Sequence, residues 1–171
     1  MASKPMAPDW ETLLAHAAML QTKLPGAVLD QRRTAPLETT TVSLRDGRRL
    51  ELPTVEEMLR IKSFLVVERN ATRDYLDVAA LSHHLGLRAS ARALGRMNAL
   101  YAEFAGEGGD MLSTVVVKLS NPDPYDLTEL DLSEYRGTTA PWNDWRAVES
   151  QCRALAIALL EEPAENTRKP S

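Results

Sequence analysis

The chain is poor in the patterns that most functional classes need. It has a single cysteine, Cys152. That excludes an intramolecular disulfide and a cysteine-built zinc site. No apolar run reaches the roughly 18 residues that a membrane span requires. The opening stretch MASKPMAPDWETLL has no apolar core of the signal-peptide kind. The expectation is therefore a cytoplasmic protein with no membrane partner. Ser90, Ser113 and Ser133 lack a G-x-S-x-G context. GEGGD follows a helical pattern rather than a strand, so it is not a phosphate-cradling loop. No internal repeat is visible. A net charge of −4 does not mark the whole chain as a nucleic-acid binder.

What remains is enough for one globular domain: 171 residues, 44% hydrophobic and 26% charged. The pattern predicts an α+β fold, a mainly helical domain with a small antiparallel β-hairpin. Residues 1–8 read as a flexible N-terminus. Asp9 is placed to cap a helix to about Leu24, with Trp10, Leu13, Leu14, Ala17 and Leu20 on one stripe. AVL at 27–29 begins like a short strand. LETTTVSLRDGRRLELP alternates around Asp46-Gly47, predicting strands near 39–44 and 48–52. Thr54 caps the next helix, to about Arg69, and Glu57 is expected to complete a capping box. Thr72 is read as the cap of a helix that stops near Gly86. LRASARALGRMNALYAEFAG predicts one amphipathic helix. MLSTVVVKL is ambiguous between helix and strand. A Pro/Asp-rich connection, a final helix within 142–162 and a disordered tail over 163–171 follow. The predicted organisation is a core over 9–86 and a C-terminal helical part of the same domain over 87–162.

Three residues stand out chemically. Lys62 lies within about 60° of Val55, Met58, Leu59, Leu65 and Val66 on its helix, along the apolar face. A lysine there snorkels, pairs with an acid or meets an anionic ligand. Asp74 and Asp77 stand three apart and project from one side of the following helix. The structural reading makes them first-turn and surface acids. The functional reading has one acid holding a metal or activating a hydroxyl while Lys62 neutralises phosphate. The helices flank a short loop, so the Lys62 ammonium is expected within reach of Asp74 or Asp77. His83 and His84 point about 100° apart and are poorly placed to share a metal. Arg88, Arg92 and Arg96 form a basic stripe, read as a solvated helix face that could also touch RNA or phosphate.

LELPTVEEMLRIKSFLVVERNATRDYLDVAALSHHLG resembles part of the core of bacterial nucleotidyltransferases of the abortive-infection and type IV toxin–antitoxin class, the AbiEii-like group. The lysine of that family matches Lys62. Its second motif is matched by Asp74 and Asp77, with Arg73 in place of a lysine and Arg69 just upstream. The resemblance implies Lys62, Asp74 and Asp77 as catalytic positions and Arg69 and Arg73 as phosphate contacts. Asp74 or Asp77 would supply at most a partial metal site. It also implies Mg2+ and a nucleoside triphosphate as cofactors, and an antitoxin protein, RNA or nucleotide as partners. The Gly-Gly/Ser and D-x-D motifs of that group are missing, as if an internal deletion near 29–32 had removed them. The fold would then be a truncated remnant, catalytically impaired as an isolated chain. The alternatives are a non-enzymatic helical protein-interaction domain and an active transferase completed by an unusual site or an oligomer.

Overall fold

The computed structural model describes residues 33–43, 47, 49–104, 109–129, 132 and 140–162. The expected helix over 9–24, the strand over 27–29, the junction near 29–32 and the tail over 163–171 lie outside the described residues. Within them the α+β class holds: helices dominate, with one two-stranded antiparallel sheet.

The hairpin falls within a residue of its expected place. Strand β1 (Thr39–Ser43) pairs with β2 (Arg49–Pro53), Thr39 opposite Pro53 and Ser43 opposite Arg49. Gly47 sits at φ +82°, the left-handed conformation that made glycine the signal for this turn. Of the two strands' residues only Leu52 is fully buried, and this end of β2 meets the first helix.

That helix, α1 (Val55–Arg69), is the axis of the domain. The hydroxyl of Thr54 accepts the Glu57 N–H at 3.1 Å, so the expected cap is there. The reciprocal half of the capping box is not. The Thr54 N–H goes to the Glu38 carbonyl, and the Glu57 carboxylate turns inward to Arg33 and Arg60. The reason is burial. Helix α1 is enclosed along most of its length, including Glu57, Arg60, Lys62 and Ser63. A buried carboxylate must find cations, and those outcompete a backbone N–H.

Helix α2 (Thr72–Leu85) follows after two residues and packs on α1. Thr72 is its first residue rather than its cap. The N-cap is Ala71, whose methyl side chain cannot accept a hydrogen bond. Asp126, 54 positions downstream, replaces it: its Oδ1 accepts both the Thr72 N–H and the Thr72 hydroxyl at 2.7 Å. A long-range cap of this kind has no local signature. We expect Asp126→Ala to lower unfolding stability by about 1–2 kcal/mol, the ordinary value of an N-cap. Asp126→Asn, which keeps an acceptor, should lose less. Urea denaturation checks both, and equal losses would show that the acceptor is not what matters.

The single helix expected from Leu87 is two pieces, α3 (Leu87–Leu94) and α4 (Met97–Leu100). They break at Gly95-Arg96, where glycine's low helix propensity makes an interruption cheap. The ambiguous MLSTVVVKL is helix α5 (Met111–Ser120), capped by Asp110 on the Ser113 N–H at 2.8 Å. Its buried residues, Met111, Thr114, Val115 and Leu119, recur at helical spacing. Helix α6 (Trp145–Glu161) starts later than Trp142, because Asp144 is its cap. It packs across α2, α3 and α5, contributing Val148, Cys152 and Leu155 to the core. One hydrophobic cluster joins α1 and α2 to α3, α5 and α6. Phe64 stacks on Tyr101 at 4.6 Å, and Tyr75 meets Trp145 edge-on at 6.0 Å.

Candidate functional site

The corner between α1 and α2 brings together most of the residues singled out from the sequence. The Lys62 ammonium is 2.6 Å from Asp77 Oδ2 and 3.7 Å from Asp74 Oδ1. It therefore pairs rather than snorkels, and Lys62 is only 4% exposed. Arg69 Nη2 donates to Asp74 Oδ1 at 3.0 Å. Arg73 points elsewhere: it is exposed and forms no ion pair among the described residues. Two cations and two carboxylates thus neutralise one another. A phosphate could reach Lys62 only by displacing Asp77, the more exposed of the two carboxylates.

Asp74 is the buried carboxylate of the two, 1% exposed. Burial raises its carboxyl above the usual aspartate value, against the opposing pull of Lys62 and then Arg69. Its second oxygen, Oδ2, has no hydrogen-bond partner. A carboxyl whose pKa is raised by folding stabilises the fold most fully below its unfolded value and loses that contribution as pH climbs through the raised one. Asp74→Asn should therefore gain stability relative to the native chain as pH rises from below 3.8. Chemical denaturation of both proteins across that range checks the sign. A native chain that instead gains on the variant would show that the two ion pairs outweigh burial.

Beside this corner lies a polar hub that the sequence reading passed over. Asn70 ends α1 at φ 50°, left-handed and C-capping, with its N–H on the Val66 carbonyl. Its Oδ1 accepts from the Tyr75 hydroxyl at 2.7 Å and the Lys118 ammonium at 3.2 Å. Its Nδ2 donates to the Asp123 carbonyl at 2.7 Å, and its own carbonyl accepts the Tyr125 N–H. Asn70 so fastens the segment 121–126 over the α1–α2 connection, where Asp126 caps α2. A cleft of about 590 Å³ opens next to it, lined among others by Val67, Phe104, Val117 and Lys118.

A second ionic cluster was also missed. Glu57, fully buried, meets Arg33 Nη1 at 2.7 Å through Oε1 and Arg60 Nη1 at 2.5 Å through Oε2. Arg60 continues to Glu38 at 3.0 Å and to the Ala93 carbonyl, and Glu38 also holds Arg96. Those arginines keep the Glu38 carboxyl below the usual glutamate value, Arg60 foremost. The signal was present: RIKSFLVV is apolar on more than one side, which marks a buried helix whose charges must be paired.

Other candidates are peripheral. His83 and His84 are exposed, with His83 edge-on to Trp142 at 5.3 Å. The Cys152 thiol is buried, which pushes its pKa up to about 12 and makes it a poor nucleophile. No group of three His, Cys, Asp or Glu side chains that could hold a metal occurs among the described residues. No helix among them is long and apolar enough to cross a membrane.

Comparison with known proteins redirects the functional reading. No family model matches the chain, and no solved structure matches it. Curated proteins do. The Heme uptake protein MmpL11 of Mycobacterium tuberculosis is 36% identical over 135 residues, 77% of this chain and 13% of the relative. The Mycolic acid-containing lipids exporter MmpL11 of Mycolicibacterium smegmatis is 33% identical over 154 residues, 90% of this chain and 16% of the relative. The Probable transport protein MmpL11 of Mycobacterium leprae is 34% identical over 131 residues, 77% of this chain and 12% of the relative. The chain thus spans less than a fifth of the length of the curated relatives it matches.

These matches overturn the resemblance to AbiEii-like nucleotidyltransferases. The toxin–antitoxin and phage-defence reading, catalytically impaired or active, is corrected with it, and so is the helical interaction domain offered as its alternative. The Mg2+, nucleotide and antitoxin expectations rested on that resemblance alone. Lys62, Asp74 and Asp77 do come together, in a set that neutralising a buried corner would also require. Over most of its length the chain is similar to one segment of the MmpL11 transport proteins.

Proposed function

We propose that this chain serves MmpL11-type transport as a helical module that does not itself cross the membrane. The observation that carries the reading is the extent of the similarity. It runs over 77–90% of this chain yet takes in only 12–16% of the transporters. The match is that of a module to part of a machine. The physical character of the domain supports a positioning role rather than chemistry. Its buried charges are committed to one another, its thiol is inert, and its helices share one core. The relatives are named for heme uptake and for export of mycolic acid-containing lipids. Service to either cargo is part of the proposal.

The test is a segment exchange in the Mycolicibacterium smegmatis exporter. The matching stretch is deleted in one strain and replaced by this chain in another, and surface mycolic acid-containing lipid is measured in both. We expect deletion to cut export and replacement to restore most of it. Normal export after deletion, or a replacement no better than deletion, would reject the reading.

A further inference from the structure

Charge is unevenly distributed along the chain. Residues 87–102 contain three arginines and no Asp or Glu. Residues 103–134 contain eight acids and one lysine. The three arginines, Arg88, Arg92 and Arg96, are all exposed, while Ala91, Leu94 and Met97 turn inward to the core. Arg96 is held by Glu38. Arg88 and Arg92 make no ion pair among the described residues. Leu37, exposed and next to Glu38, lies beside the arginine end of this face.

We propose that the outer face of α3 and the α3–α4 junction, through Arg88, Arg92 and Arg96, rests on an anionic lipid surface. The proposal depends on the reading above in one respect, that the module works close to a bilayer. Crossing a membrane and lying against one are different physical acts. The first needs a long apolar helix or a closed barrel, and the second needs a basic face and a little apolar contact. An arginine near an anionic leaflet gains about fivefold in partitioning. Two unpaired arginines give about 25-fold, which is weak for a free protein. For a domain held near the membrane by a transporter, local concentration makes such weak contacts effective.

The test uses the full chain and sedimenting vesicles, either pure phosphatidylcholine or phosphatidylcholine with a third phosphatidylglycerol, at low salt. We expect about 25-fold more retention on the anionic vesicles, weakening as salt rises. R88Q together with R92Q should remove the preference. R73Q with R146Q, which takes the same charge from exposed positions elsewhere, should leave it. All four sites are exposed, and circular dichroism confirms that each variant is folded. Equal retention on both vesicle types overturns the proposal, as does a preference that survives R88Q/R92Q. A preference lost equally in R73Q/R146Q also overturns it, by showing only a general charge effect. Vesicle binding does not depend on the export assay. The lipid contact can therefore fail while the transport reading stands, and the reverse.

Discussion

Glu57→Ala should lower the unfolding free energy by about 3–5 kcal/mol, the characteristic cost of removing one member of a buried ion cluster. Glu57 is fully buried between Arg33 and Arg60. Both guanidiniums are nearly buried as well, at 3% and 4% side-chain exposure. Without the carboxylate, two positive charges face each other in a site with little water. Arg60 retains Glu38, but Glu38 is shared with Arg96. Among the described residues Arg33 retains only the Ala35 carbonyl, the Tyr101 hydroxyl at 3.4 Å and the ring face of Tyr101. Its Nη2 already has no hydrogen-bond partner.

The cost of that variant is not the worth of the cluster. Burying three charges is expensive, and apolar side chains of similar volume often replace such a set without loss. The combined variant Arg33→Met, Glu57→Leu, Arg60→Met should therefore recover most of the stability that Glu57→Ala loses. Equilibrium denaturation of the three proteins decides the matter. A loss below about 1 kcal/mol for Glu57→Ala, the range of an exposed pair, would mean that water reaches the cluster. A combined variant as unstable as the single one would mean that the ions set the packing of α1 and do not merely tolerate it.

How much of this was legible in the sequence follows the range of the forces involved. The hairpin, its glycine turn, the Thr54 cap and the ends of α1 were readable, because each is fixed by residues within a turn or two of one another. The pairing of Lys62 with Asp74 and Asp77 was readable for the same reason: two helices joined by two residues must face each other. The Asp126 cap of α2 was not, since nothing near Thr72 points to a residue 54 positions away. Nor was the role of Glu57. The local rule favouring a capping box was sound, and it lost to a stronger demand set by burial against Arg33 and Arg60. The functional error has the same root. Lys62, Asp74 and Asp77 form a spacing that chemistry and simple charge neutralisation both produce. The comparison that overturned the family reading rests on 77–90% of the chain rather than on one motif.

The largest backbone effect is expected at Asn70. Asn70→Ala should destabilise the domain by about 2–4 kcal/mol, combining left-handed strain with hydrogen-bonding groups left unpaired. Asparagine tolerates φ 50° better than other residues with a Cβ, and alanine there pays the full steric cost. Alanine also leaves the Tyr75 hydroxyl and the Lys118 ammonium without their shared acceptor, and the Asp123 carbonyl without its donor. Asn70→Gly separates these contributions. It restores the backbone and removes only the side-chain bonds, so it should be more stable than Asn70→Ala by about 1 kcal/mol. Asn70→Asp keeps the acceptor but sets a carboxylate against the Asp123 carbonyl and at the C-terminal, negative end of α1. It should therefore fall below the native chain despite a stronger attraction to Lys118. Trp145, edge-on to Tyr75, gives a fluorescence signal for unfolding close to the hub. The informative quantity is the order: native first, then glycine, then alanine. If alanine equals or exceeds glycine, the left-handed turn carries no strain and the hub rests on its hydrogen bonds alone.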